Sequence, residues 1–122
     1  MTDPTALCVD VLSDALPCAV SGAAPAVPDG QTYEDIMPFV TVSQTGGTAT
    51  EFTQAPVMAV RAWASSDAVA TALVGDCEEA LRRAASSHPL LSRVEVVSVT
   101  TDPWAEAGAS RYVLTVRLTI NV

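Results

Sequence analysis

From Tyr112 to Val122 every second residue is apolar: Tyr112, Leu114, Val116, Leu118, Ile120 and Val122. Between them stand Val113, Thr115, Arg117, Thr119 and Asn121. A period of two sustained over this length specifies a β-strand with one buried face. Such a strand needs neighbours to pair with and an apolar layer to cover it. Its other face is semi-polar and suits solvent, a neighbouring subunit or a lumen. The chain has 122 residues, which suits one domain of roughly 100–150 residues. The covering layer must therefore come from the same domain.

Two amphipathic helices can supply that layer. Asp3-Pro4 opens the first: Asp3 can cap, and Pro4 takes the first helical position, where its missing N–H costs nothing. Val9, Leu12 and Leu16 recur at helical spacing with Cys8 and Ala15 beside them, while Asp3, Asp10 and Asp14 follow the same period on the other side. Pro17 ends this helix after about residue 16. Ser65-Ser66-Asp67 caps the second helix. Val69, Leu73, Cys77, Ala80, Leu81 and Ala84 form its apolar stripe. Glu78 with Arg82 and Glu79 with Arg83 are spaced i to i+4 on its solvated side. Gly75 inside this helix costs about 1 kcal/mol relative to Ala, which suggests a close packing contact there.

The remaining strands are shorter signals. Cys18-Ala19-Val20 reads as a short strand, and 21 to 30 as a loop ending in turn formers. Residues 38 to 43 alternate and are β-rich, and 57 to 63 form the next strand. Gly46-Gly47 reads as the hairpin bend between them, with Thr45, Thr48, Thr50 and Thr53 able to extend the pairing. Pro56 argues against a central hydrogen-bonded position at that point. Residues 94 to 100 form a strand in which the phase slips between Val96 and Val97, by burial on both faces or by a bulge. The resulting fold class is α+β. A mainly antiparallel sheet of four to five strands packs against two helices, in the order α-β-β-β-α-β-β, as a single domain over residues 1–122.

Composition excludes several functions. The chain has six Arg, no Lys and fourteen acids, for a net charge of -8. Seven acids and no base fall in residues 1–60, and seven acids with all six Arg in 61–122. That is a poor surface for gripping nucleic-acid phosphates or a polybasic membrane site. An apolar fraction of 49% argues against a disordered acidic tail. Cys8, Cys18 and Cys77 include no Cys-x-x-Cys pair, so neither a disulfide framework nor a zinc knuckle is indicated. Cys8 and Cys77 read as small buried hydrophobes in a reducing compartment. The N-terminus does not read as a secretory signal, and no apolar run approaches the ~20 residues of a membrane span. The expectation is a cytosolic protein, or part of something assembled there.

No catalytic constellation emerges. His88 is the single histidine and precedes a proline at a helix exit, the setting of a surface turn residue more than of an acid–base group. Glu78-Glu79 each have an Arg one turn on and read as a solvated ion-pair face, not as a carboxylate dyad. Gly46-Gly47 lacks the strand-to-helix context and the Lys of a phosphate loop. Metal-ligand spacing is absent, and no cofactor is implied. Trp63 ends a strand, where core packing is the default. Trp104 lies in a loop with Asp102, where it is either an interface anchor or folded back onto the domain. The long polar loops suggest contact with other subunits.

Pro38-Phe39-Val40-Thr41-Val42, then Gly46-Gly47, then Val60-Arg61-Ala62-Trp63-Ala64 leading into an Ala-rich helix, resembles the tail terminator proteins of long-tailed (siphovirus) phages of actinobacteria. Arg111-Tyr112-Val113-Leu114-Thr115-Val116 matches the family's closing strand. The resemblance spans most of residues 4 to 122, is weakest at 18 to 35, and rests on the order of the pieces. It implies a small α/β subunit of a homo-hexameric ring on the head-proximal end of the tail tube. Such a ring stops tube polymerisation and joins the head connector, as a virion component assembled in the host cytoplasm. It implies no enzyme and no cofactor. Partners would be the tail tube protein and a connector or stopper protein, with DNA passing through the lumen without sequence-specific binding. Loop length and polarity make Asp29, Tyr33, Gly46, Gly47, Glu51, Phe52, Asp102 and Trp104 the candidate contact residues. An acidic N-terminal half, or the Glu51 hairpin, facing the channel would let DNA slide. Two other readings fit the same element string: another neck protein (head-completion or stopper), and a small ferredoxin-like ligand-binding module or enzyme.

Overall fold

Asp3 caps the first helix as its position suggests: its Oδ1 accepts from the backbone N–H groups of Thr5 and Ala6. Helix α1 runs Pro4–Ala15 and ends just before Pro17. The computed structural model describes residues 2–23, 26–101 and 110–121. After α1 come strand β1 (Ala19–Ser21), a single helical turn α2 (Tyr33–Ile36), β2 (Phe39–Ala49), β3 (Thr53–Ala64), α3 (Asp67–Ala85), β4 (Leu91–Thr101) and β5 (Ser110–Asn121). The α+β class is as expected, with α2 as an addition.

The five strands form one sheet in the order β1-β2-β3-β5-β4. β1 lies parallel to β2, and every other pairing is antiparallel. The strand expected around residues 18–20 thus exists and makes the sheet mixed. Helices α1 and α3 cover one face. Leu7, Cys8 and Leu12 from α1, with Leu73, Val74, Cys77 and Leu81 from α3, pack against Val42, Met58, Val60, Leu114, Val116 and Leu118. Complete exclusion of a Leu-sized side chain from water contributes about 1.5–3 kcal/mol, so this layer supplies most of the folding energy. Burial also pushes the Cys8 and Cys77 thiols up to about 12; Cys18 and Asp76 add to the effect at Cys77. Both cysteines are buried as predicted, and Cys18 is half-buried.

Four local expectations need correction. Gly46-Gly47 is no bend. It lies inside β2, paired with Val57 and Pro56, and the turn comes later at Thr50–Phe52. Thr45, Thr48 and Thr53 do lie in the two strands, extending them to Ala49 and from Thr53. Thr50 closes the turn: its N–H donates to the Thr53 carbonyl at 2.7 Å, and its Oγ1 accepts from the Thr53 N–H at 3.1 Å. Gly75 makes no close packing contact; a Cβ there would meet nothing within 4 Å. Val69 is 45% exposed and leaves the apolar stripe of α3, because it sits one turn after the N-cap on the solvent side. Ala15 is likewise exposed on α1. The slip at Val96–Val97 is a bulge: Val96 pairs with Val116 and Ser98 with Thr115, leaving Val97 out of the ladder.

Candidate functional site

The helices leave the second face of the sheet uncovered along most of its length. Cross-strand partners share a face, so the register assigns its occupants. Phe39, Trp63 and Arg111 form one row, followed by Thr41, Arg61 and Val113, then Ser43, Ala59 and Thr115. Val57, Arg117 and Glu95 come next, with Thr119 and Arg93 beyond them. The sequence therefore places small and polar residues in phase opposite to the core residues, with an arginine recurring every few positions.

At one end this face has its own small apolar cluster. Phe39 and Trp63 are both nearly fully buried, with Tyr33, Ile36 and Met37 packed on them. The Phe39 and Trp63 rings stack with centroids 4.9 Å apart, and Tyr33 stacks on Trp63 at 5.8 Å. Trp63 Nε1 donates to Thr41 Oγ1 at 3.0 Å, which satisfies both buried polar groups. The Arg111 guanidinium lies 4.7 Å from the Trp63 ring centroid, a cation–π distance. Arg61 donates to Ser43 Oγ at 3.1 Å. These groups line a shallow recess with Gly22 and Ala23. Trp63 packs in a core as expected, and this cluster explains α2. Tyr33 and Ile36 are held by stacking and burial, and the Thr32–Asp35 capping box starts the turn.

At the other end the sheet continues into the β2–β3 hairpin. Residues 44–52 are exposed, and Phe52 at the turn is 73% exposed, the most exposed of the large apolar side chains described. Glu51 stands beside it, also exposed. The predicted contact residues thus divide into groups. Gly46, Gly47, Glu51 and Phe52 come together on the hairpin. Tyr33 sits at the opposite end of the sheet in the aromatic cluster, and Asp29 is exposed in a turn leading toward it. Asp102 and Trp104 lie outside the described residues.

Sequence reasoning missed the arginine row as a unit. Arg61, Arg93, Arg111 and Arg117, four of the six arginines, share the open-face strand positions with one acid among the described residues, Glu95, which lies 3.8 Å from Arg117. Arg82 and Arg83 sit on α3 and pair with Glu78 and Glu79 as expected. The exposed Asp10, Asp14, Asp67, Asp76 and Glu79 also belong to the helix layer. Among the described residues the charge balance therefore differs by layer, acids outnumbering arginines over α1 and α3 and arginines outnumbering acids on the open sheet. The split between the two halves of the sequence is a weaker image of this. The usable signal was the alternation that sets Arg111 and Arg117 in phase on β5.

His88 occupies a surface turn, where its Nδ1 accepts from the Leu90 N–H at 3.1 Å. Among the described residues no group of three or more His, Cys, Asp or Glu could hold a metal ion. No helix among the described residues is long and apolar enough to cross a membrane.

No protein-family model matches the chain, and no curated protein sequence does. Solved structures do match. One is a chain from the virion of a native gene transfer agent particle, with 16% sequence identity and a TM-score of 0.60. The match covers 98% of this chain and 87% of the other. At that identity the likeness shows a shared fold over nearly the whole length of both chains.

Proposed function

We propose that this protein is a virion structural subunit, a tail terminator that forms a hexameric ring on the head-proximal end of a tail tube. The observation that carries the reading is the end-to-end fold likeness to a chain of a gene transfer agent virion. It agrees with the resemblance read from the order of sequence segments at the level of a virion structural protein. The open, arginine-bearing sheet face and the projecting hairpin with Phe52 at its tip are surfaces suited to protein contacts. The ring ends tube polymerisation, joins the tail to the head connector or stopper, and lets DNA pass through its lumen. Nothing in this role requires catalysis or a cofactor. A lumen wall that DNA slides along has the acidic helix layer, or the Glu51 tip, turned inward.

Electron microscopy of tail tubes mixed with the purified protein tests this. The reading expects six-fold rings at one end of each tube, and tubes that no longer extend when tube protein is added. Rings bound to the head connector but never to tubes would instead indicate another neck protein. A monomer that ignores tubes and binds a small ligand would indicate the ligand-binding or enzymatic class.

A further inference from the structure

The sheet ends on two strands that have no neighbour among the described residues. On one side β4 is outermost throughout. On the other, β1 pairs with β2 only at Phe39, Val40 and Thr41, so β2 is outermost from Val42 to Ala49. An exposed edge presents unpaired N–H and C=O groups and is a template for another strand. Proteins usually blunt such edges with charged side chains, Pro, bulges or a very short strand. β4 is 11 residues long, without Lys or Pro, and exposes Val97 at 53% and Val99 at 48%; Arg93, Glu95 and the bulge at Val97 guard it only in part. The free stretch of β2 carries no charged residue, with one bulge between Gln44 and Gly46.

The two edges match in direction and height. β2, β3, β5 and β4 each run antiparallel to the next, so β2 and β4 run in opposite directions. Copies placed side by side in one orientation therefore bring β4 of one against β2 of the next as antiparallel strands. Following the register across the sheet, Arg93 lies beside Thr119. Ile120 lies beside Gln54, which brings Thr119 level with Ala55, the partner of Thr48. Thr48 and Arg93 thus stand at the same height on opposite edges. Just beyond Thr48 is Glu51, the one charged residue between positions 42 and 60. Arg93 is exposed and has no ion-pair partner among the described residues. Neighbouring copies would bring these opposite charges together.

We propose that copies of this chain join edge to edge, β4 of one subunit adding antiparallel to residues 42–49 of β2 in the next. The contact is heterologous, and a closed ring of copies would leave no edge free. The inference rests on the ring reading and specifies its interface. Oxidative cross-linking of the full chain, alone at high concentration and on tail tubes, tests it. In a Cys18→Ser background, Thr48→Cys is combined in turn with Arg93→Cys, Glu95→Cys or Ser98→Cys, which samples three strand staggers. At least one pair should give a ladder of covalent multimers, while single-cysteine controls stop at dimers. Rings on tube ends without a ladder from any pair would overturn edge pairing and leave the ring reading intact. A ladder without rings on tubes would keep edge pairing and discard the terminator role. Neither rings nor a ladder would overturn both.

Discussion

The two faces of one sheet have been put to different uses. On the covered face, Val42, Met58, Val60, Leu114, Val116 and Leu118 interlock with two helices and exclude water. On the open face, the same strands carry Ser43, Arg61, Thr115 and Arg117, with Thr41 and Ala59 buried between them. Among the described residues, only the Phe39–Trp63 end of that face has a cap of its own. Stability should therefore be concentrated on one side, leaving the other free to make contacts without a folding penalty. A domain of this size has only about 5–15 kcal/mol of net stability, so the asymmetry is measurable.

The largest effect should come from the covered face. Leu81→Ala removes a fully buried side chain at the helix–sheet junction and should cost about 2–5 kcal/mol in urea unfolding. A loss below about 1 kcal/mol would mean that the helix layer is not the main core. Next comes the hairpin. Gly47 has φ +131°, and a Cβ there would stand 2.5 Å from the Pro56 Cα, so Gly47→Ala must distort the β2–β3 pairing. We expect a destabilisation of about 1–3 kcal/mol, read by thermal unfolding, with the Gly46→Ala variant as the milder control.

The buried thiols sharpen the contrast through pH. Cys8 and Cys77 hold their protons up to about pH 12 when folded, against 9.0 for the ordinary thiol. Above pH 9 the unfolded chain releases protons that the native state keeps, so stability falls as pH rises from 9 toward 12. Each thiol should cost about 1.4 kcal/mol per pH unit in that window, and Cys8→Ala with Cys77→Ala should flatten the profile of melting temperature against pH.

Smaller effects belong to the open face. Trp63→Phe keeps the stack on Phe39 but deletes the bond to Thr41, and should cost about 1 kcal/mol by denaturant titration. Arg117→Ala removes an exposed 3.8 Å ion pair with Glu95 and should change stability by under about 0.5 kcal/mol. A large loss for Arg117→Ala would erase the distinction between the faces.

Much of the covered face could be read from the sequence, because burial imposes a period on the residues that are buried. Leu114, Val116, Leu118 and Ile120 alternate, and Asp3-Pro4 and Pro17 mark the ends of α1. Features set by tertiary contact could not be read. The turn α2 forms because Tyr33 and Ile36 pack on Phe39 and Trp63, a contact invisible in the local run. Gly46-Gly47 carries a strong turn signal, yet the turn is made by hydroxyl bonds of Thr50 three residues on. The hairpin as a candidate surface was legible from its polarity. The arginine row was not, since Arg61, Arg93 and Arg117 are gathered only by strand register.

The most direct measurement is imaging of tail tubes polymerised in the presence and absence of the purified chain. The account predicts one six-fold ring at a single end of each tube and a tube length that stays fixed once the ring is seated. Tubes that continue to grow, with the chain remaining monomeric in the supernatant, would contradict it.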